Sequence, residues 1–144
     1  MKHVFDDGGR ALAGYRGNAG DCVVRAIAIA TKIDYQKIYD ELNLLSRKIA
    51  VAKRTSFDSS SRTGHDKLVY TKYLESIGWK WVVCSGIGLG CKVHLKEDEL
   101  PMGRIIVRLS GHLAAVIDHV IHDTYKDDRN GTRMVYGYFK EPSK

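Results

Sequence analysis

Residues 103–125, GRIIVRLSGHLAAVIDHVIHDTY, decide how the chain folds. GRIIVRL and HLAAVI read as continuous apolar strands, and Asp118-His119 reads as a tight reversal into VIHDTY. If those two residues form the turn, Ile117 faces Val120, Val116 faces Ile121, Ala115 faces His122 and Ala114 faces Asp123. Side chains two apart share a face of a strand, so Asp123 then lies diagonally across from His112 on one side of the sheet. A one-residue bulge reverses that and promotes His122 over Asp123.

Working outward, WKWVV (79–83) reads as a strand, CSGIGLGCK (84–92) as a glycine-rich turn and KEDELP (96–101) as a short helical turn. RMVYGYF (133–139) makes a last strand after DDRNG. The helices come earlier. In DCVVRAIAIAT, Asp21 is a plausible cap, and from Cys22 to Ala30 only Arg25 is not apolar, the mark of a buried helix. Asp34 can cap a second helix with Tyr35, Ile38, Tyr39, Leu42, Leu45 and Ile49 at helical spacing. A third, from about Asp66 to Ile77, aligns Val69, Tyr73 and Ile77, with Gly78 as its stop. Helices first and an antiparallel sheet second is an α+β arrangement. We expect one domain over 1–144, with a loop at 1–20 and a mobile basic loop at 53–66.

The chain has 144 residues, the size of one domain, and is 44% hydrophobic and 28% charged, which excludes disorder as its main state. No run approaches the ~20 apolar residues of a membrane span. The opening MKHVFDDGG lacks the basic start and apolar stretch of a secretory signal. Three irregularly spaced cysteines are not a disulfide framework, so the expected compartment is the cytoplasm. The net charge is +6, and residues 44–73 hold seven basic groups against Asp58 and Asp66, a local balance of +5. Arg54, Arg62 and Lys67 in that stretch are candidate contacts to an acidic substrate. Alternatively, the stretch docks on nucleic acid phosphate or an acidic protein.

Cys22 is the most suggestive residue, because it sits at the start of a buried helix, where unpaired N–H groups and the helix dipole favour an anion. An ordinary thiol is only ~3% ionised at pH 7, and making it mostly ionised takes about 2.7 kcal/mol. The dipole contributes roughly 0.3–1 kcal/mol, so a second positive group, normally a histidinium, has to sit beside the sulfur. His112 opens a strand, where its side chain can face a cleft, and Asp123 can hold its ring.

Cysteine on a buried helix, then histidine on a strand, then an acid on the next strand resembles the papain-like cysteine peptidases. The nearest likeness is the leader-peptidase domain of bacteriocin exporters, carried by GDCVVRAIAIAT and DELPMGRIIVRLSGHLAAVIDHVIHDTY. The pattern is also similar to bacterial cell-wall endopeptidases of papain-like fold, whose third group can be a histidine. The likeness points to small proteins of bacteria and their phages. It implies Cys22 as nucleophile, His112 as base and acid, and Asp123 as orienter. Where the family carries an oxyanion-holding glutamine, about six residues before the cysteine, this chain has Arg16, leaving Asn18 and the Cys22 N–H as candidate donors.

The remaining motifs are weaker. Cys84, Cys91 and His94 make C-x6-C-x2-H and His119 and His122 make H-x2-H, whereas zinc sites normally carry tighter cysteine pairs and four convergent ligands. GIGLG lacks the strand-to-helix setting of a dinucleotide loop. The expectation is therefore a metal-free, cofactor-free thiol hydrolase acting on a peptide, isopeptide or amide bond, or an acyltransferase using the same acyl-enzyme. The alternative is an inactive papain-like fold that binds through its basic segment.

Overall fold

Helix α1 (Cys22–Thr31) is buried almost throughout, and its carbonyl end is satisfied from the sheet. Arg104 donates from Nε to Ala30 O at 2.7 Å and from Nη2 to Ile29 O at 2.7 Å, placing a cation at the negative helix end. Helix α2 (Tyr35–Lys53) is started by Asp34, whose carboxylate accepts from Lys37 N at 3.3 Å. Its expected face is the packed one: Tyr35, Ile38 and Leu42 are buried, and Tyr39, Leu45 and Ile49 pack around them. Helix α3 (Lys67–Ser76) is capped by Asp66, which accepts from Val69 N at 3.1 Å. The computed structural model describes residues 1–17, 20–53, 59–86, 90–126 and 128–143.

The strands are β1 (Lys2–Phe5), β2 (Lys80–Val83), β3 (Ser85–Gly86), β4 (Gly90–Cys91), β5 (Arg104–Leu109), β6 (His112–Ile117), β7 (Val120–Asp123) and β8 (Gly137–Lys140). Among the described residues six of them form one sheet in the order β1-β7-β6-β5-β8-β2, while β3 and β4 pair separately. The fold is α+β. Alternate residues of the central strands divide between two cores. Ile106, Leu113, Ala115 and Phe139 face the helices, whereas Ile105, Val107, Leu109, Ala114, Val116 and Ile121 pack under Leu95, Leu100 and Val135. Burial on both faces is why these strands read as unbroken apolar runs.

The β6–β7 hairpin has the expected register, with Ile117 opposite Val120, Val116 opposite Ile121 and Ala115 opposite His122. Asp118 and His119 both take positive φ, 48° and 65°, as a two-residue hairpin turn of the I′ type requires.

Four expectations need correction. The loop expected over 1–20 contains β1, which pairs parallel with β7 and makes the sheet mixed, not antiparallel. Its four residues are mostly exposed at a sheet edge, so no alternation marks them as a strand. Asp21 makes no side-chain cap on α1, because Arg25 and Tyr35 take its carboxylate. The last strand is Gly137–Lys140 alone; Val135 instead covers the far face of the sheet.

The last correction concerns the basic loop. Its second half is no solvated tether: Ser59, Ser61 and His65 are buried. Ser61 donates from Oγ to Tyr39 O at 2.6 Å and from its backbone N–H to Asn43 Oδ1 at 2.8 Å. Residues 54–58, Arg54 among them, lie outside the described residues. Among the described residues no helix is long and apolar enough to cross a membrane.

Candidate active site

Three elements bring Cys22, His112 and Asp123 together. Cys22 is the first residue of α1, His112 the first of β6 and Asp123 the last of β7. The hairpin register puts His112 and Asp123 on one side of the sheet, and His112 Nε2 lies 2.5 Å from Asp123 Oδ2. That bond leaves Nδ1 as the ring nitrogen that can serve the Cys22 sulfur, and the imidazole and the thiol favour each other's charged forms. The Tyr125 ring packs against the imidazole at 5.5 Å between centroids. His122, the alternative third member, points away and has Asp6 as its neighbour at 3.9 Å.

Electrostatics favour the ionised pair. Burial pushes the Cys22 thiol up, but the hydrogen bond from His112, its charge, the Leu113 N–H and the Arg25 charge outweigh it and hold the thiol below its ordinary value. Burial pushes His112 down, yet its bonds to Asp123 and Cys22 and their charges raise it to about 9. Asp123 is pushed up by burial and pulled down further by His112, the Thr124 N–H and Arg25, so its carboxyl stays ionised. The N–H groups of Cys22, Val23 and Val24 precede the first intrahelical bond, from Arg25 N to Asp21 O at 3.0 Å, and add the positive end of the helix.

Sequence reasoning passed over Arg25. It stands one turn after Cys22, pairs with the buried carboxylate of Asp21 through Nη1, and reaches Asp123 Oδ1 through Nη2 at 3.5 Å. Asp21 also accepts from the Tyr35 hydroxyl at 2.6 Å and faces Arg10 Nε at 3.5 Å. One cation in an otherwise apolar helix was the available signal, since a buried guanidinium needs carboxylates around it.

The thiol and the imidazole open onto a cleft of about 560 Å³. Gly20, the 63–65 turn, Lys67, Tyr70, Arg108 and Tyr136 form much of its wall. Gly20 lies so close under the turn that a Cβ there would stand 2.7 Å from Thr63 O, and its N–H donates to Arg62 O at 2.7 Å. His65 anchors the turn: Nδ1 meets Ser59 Oγ at 2.8 Å, Nε2 meets Ser61 Oγ at 2.9 Å, and burial lowers the ring to about 4. Of the expected substrate contacts, Lys67 lines the cleft, whereas exposed Arg62 is turned to Arg16 O at 3.3 Å and is not in its wall. Asn18, the expected oxyanion donor, lies outside the described residues, as Arg54 does. Arg108 and Tyr136 were not foreseen, because a residue near a strand end or between elements carries no periodic mark, and Tyr70 of α3 was passed over too.

Among the described residues no three His, Cys, Asp or Glu side chains converge as metal ligands. Comparison with family models, with curated proteins and with solved structures finds no match for this chain.

Proposed function

We propose that the protein is a thiol-dependent hydrolase of papain-like type, cleaving a peptide, isopeptide or amide bond through Cys22, His112 and Asp123. The observation that supports this best is the Asp123–His112 hydrogen bond with Cys22 beside the same imidazole at the mouth of a cleft, the thiol lowered and the imidazole raised. Those opposite shifts favour a thiolate beside an imidazolium, the pair an acyl-transferring cysteine needs.

In the reaction the Cys22 thiolate adds to the acyl carbonyl, and the Cys22 N–H at the helix start holds the oxyanion. His112 gives its Nδ1 proton to the leaving amine, which departs as the thioester forms. The neutral ring then takes a proton from water, whose oxygen attacks the thioester and releases the acid and the thiolate. Asp123 keeps Nε2–H hydrogen-bonded throughout, so the ring neither flips nor changes tautomer. An amine in place of water gives acyl transfer from the same intermediate. A free thiolate of this kind suits a reducing compartment, which supports a cytoplasmic site of action.

The test is intact-mass detection of an acyl-enzyme. Wild type is mixed with a panel of peptide thioesters and activated amides, with Cys22→Ala as the control. A mass gain that maps to Cys22 and decays with release of acid is the expected result. Identical behaviour of the two proteins across the panel overturns the proposal.

A further inference from the structure

Two cations stand in the cleft with no carboxylate beside them. Lys67 and Arg108 line the space that Cys22 and His112 open onto, and with Trp81, Val83 and Tyr136 they line an adjoining recess of about 180 Å³. Among the described residues neither wall contains an aspartate or glutamate. The nearest acid in sequence, Asp66, is spent on capping α3.

Each cation lies against an aromatic ring. Lys67 Nζ sits 5.2 Å from the centre of Trp81, and the Arg108 guanidinium carbon sits 6.0 Å from the centre of Tyr136. Such contacts hold a charged head in place without neutralising it. A cleft with low-dielectric walls and one sign of charge concentrates its field inward.

Resting on the hydrolase reading, we propose that Lys67 and Arg108 form an anion subsite for a substrate carboxylate next to the bond attacked, so that the preferred substrate is an acidic peptide. The aromatic walls take the apolar stem of that side chain, and the two cations take its head. An extended nucleic acid fits less well, because the charges lie inside a recess beside the nucleophile. Of the basic groups in 44–73, Lys67 is the one among the described residues that reaches the cleft.

The experiment compares two alkylating probes of matched size, iodoacetate and iodoacetamide, at Cys22 by peptide mass spectrometry. Wild type, Lys67→Glu, Arg108→Gln and the Lys67→Gln/Arg108→Gln pair are measured in low salt and again with added salt. Wild type is expected to favour the carboxylate probe. The pair should lower the iodoacetate-to-iodoacetamide ratio about tenfold, with a smaller effect in high salt. Lys67 is exposed, so Lys67→Glu keeps the test open if Arg108 variants fail to fold; it should lower the ratio severalfold alone.

A ratio unchanged within twofold in Lys67→Glu and in the folded Arg108 variants, with Cys22 still reactive, overturns the subsite and leaves the hydrolase standing. A ratio lowered as much by a duplex oligonucleotide competitor as by the substitutions overturns the acidic-peptide assignment in favour of phosphate. A Cys22 that reacts with neither probe faster than Cys84 overturns the hydrolase reading and the subsite together.

Discussion

Replacing His112 with alanine removes the imidazolium while leaving Cys22 half-buried at the start of α1. An ordinary thiol near pKa 8.5 is about 3% ionised at pH 7, so the ion pair can accelerate alkylation there by up to about 30-fold. Without the ring, burial is left opposed only by the Leu113 N–H, Arg25 and the helix end. His112→Ala should therefore lose about 30-fold in iodoacetamide rate at pH 7 and show one ionisation at or above the ordinary thiol value. Wild type should reach its plateau at lower pH than His112→Ala and show a second inflection near 9, where His112 gives up its proton. That raised value corresponds to about 3 kcal/mol of interaction favouring the imidazolium, shared between Asp123 and the sulfur. Asp123→Asn should accordingly fall between the two, about tenfold below wild type at pH 7. The assay is peptide-resolved alkylation from pH 5 to 10. A His112→Ala rate within threefold of wild type at pH 7 refutes the ion pair.

Arg25→Met should cost about 3 kcal/mol in urea unfolding, because it strands the buried Asp21 carboxylate and loosens Asp123. A loss under about 1 kcal/mol would mean that Tyr35 and Arg10 suffice for Asp21. His65 is held at about 4 when folded against about 6.5 unfolded, so between those values the unfolded chain binds more protons and stability rises with pH. The contribution is complete above about pH 6.5 and is lost on acidification towards 4, a total of about 3 kcal/mol. Urea midpoints at pH 7 and 4.5 should diverge more in wild type than in His65→Asn, and equal divergence removes His65 as the cause.

The sequence-to-structure agreement is strongest where local chemistry settles the geometry. The hairpin turn and the alternation across β6 and β7 fix which side His112 and Asp123 share, and both are readable within a dozen residues. What escaped notice depends on distant partners. Strand β1 exists because β7 offers it an edge more than a hundred residues later. The 59–65 turn is polar in composition, yet Ser59, Ser61 and His65 are buried in it, because His65 bonds both serines and they bond to α2. Asp21 looked like a helix cap since only local donors can be counted in a sequence, and a buried arginine competes better. Arg108 and Tyr136 meet Lys67 in the cleft through tertiary folding alone.

The approach of Gly20 to Thr63 has a practical reach beyond stability. The thiol's backbone seat is built by a turn that hangs from Asn43 and Tyr39 on the second helix, 18 and 22 residues before Ser61. Grafting the cysteine-bearing helix onto another scaffold would carry the sulfur but not its perch. Any minimal transplant must include the segment through the serine–histidine latch, and shuffling experiments that cut between them should yield folded but inert chimeras.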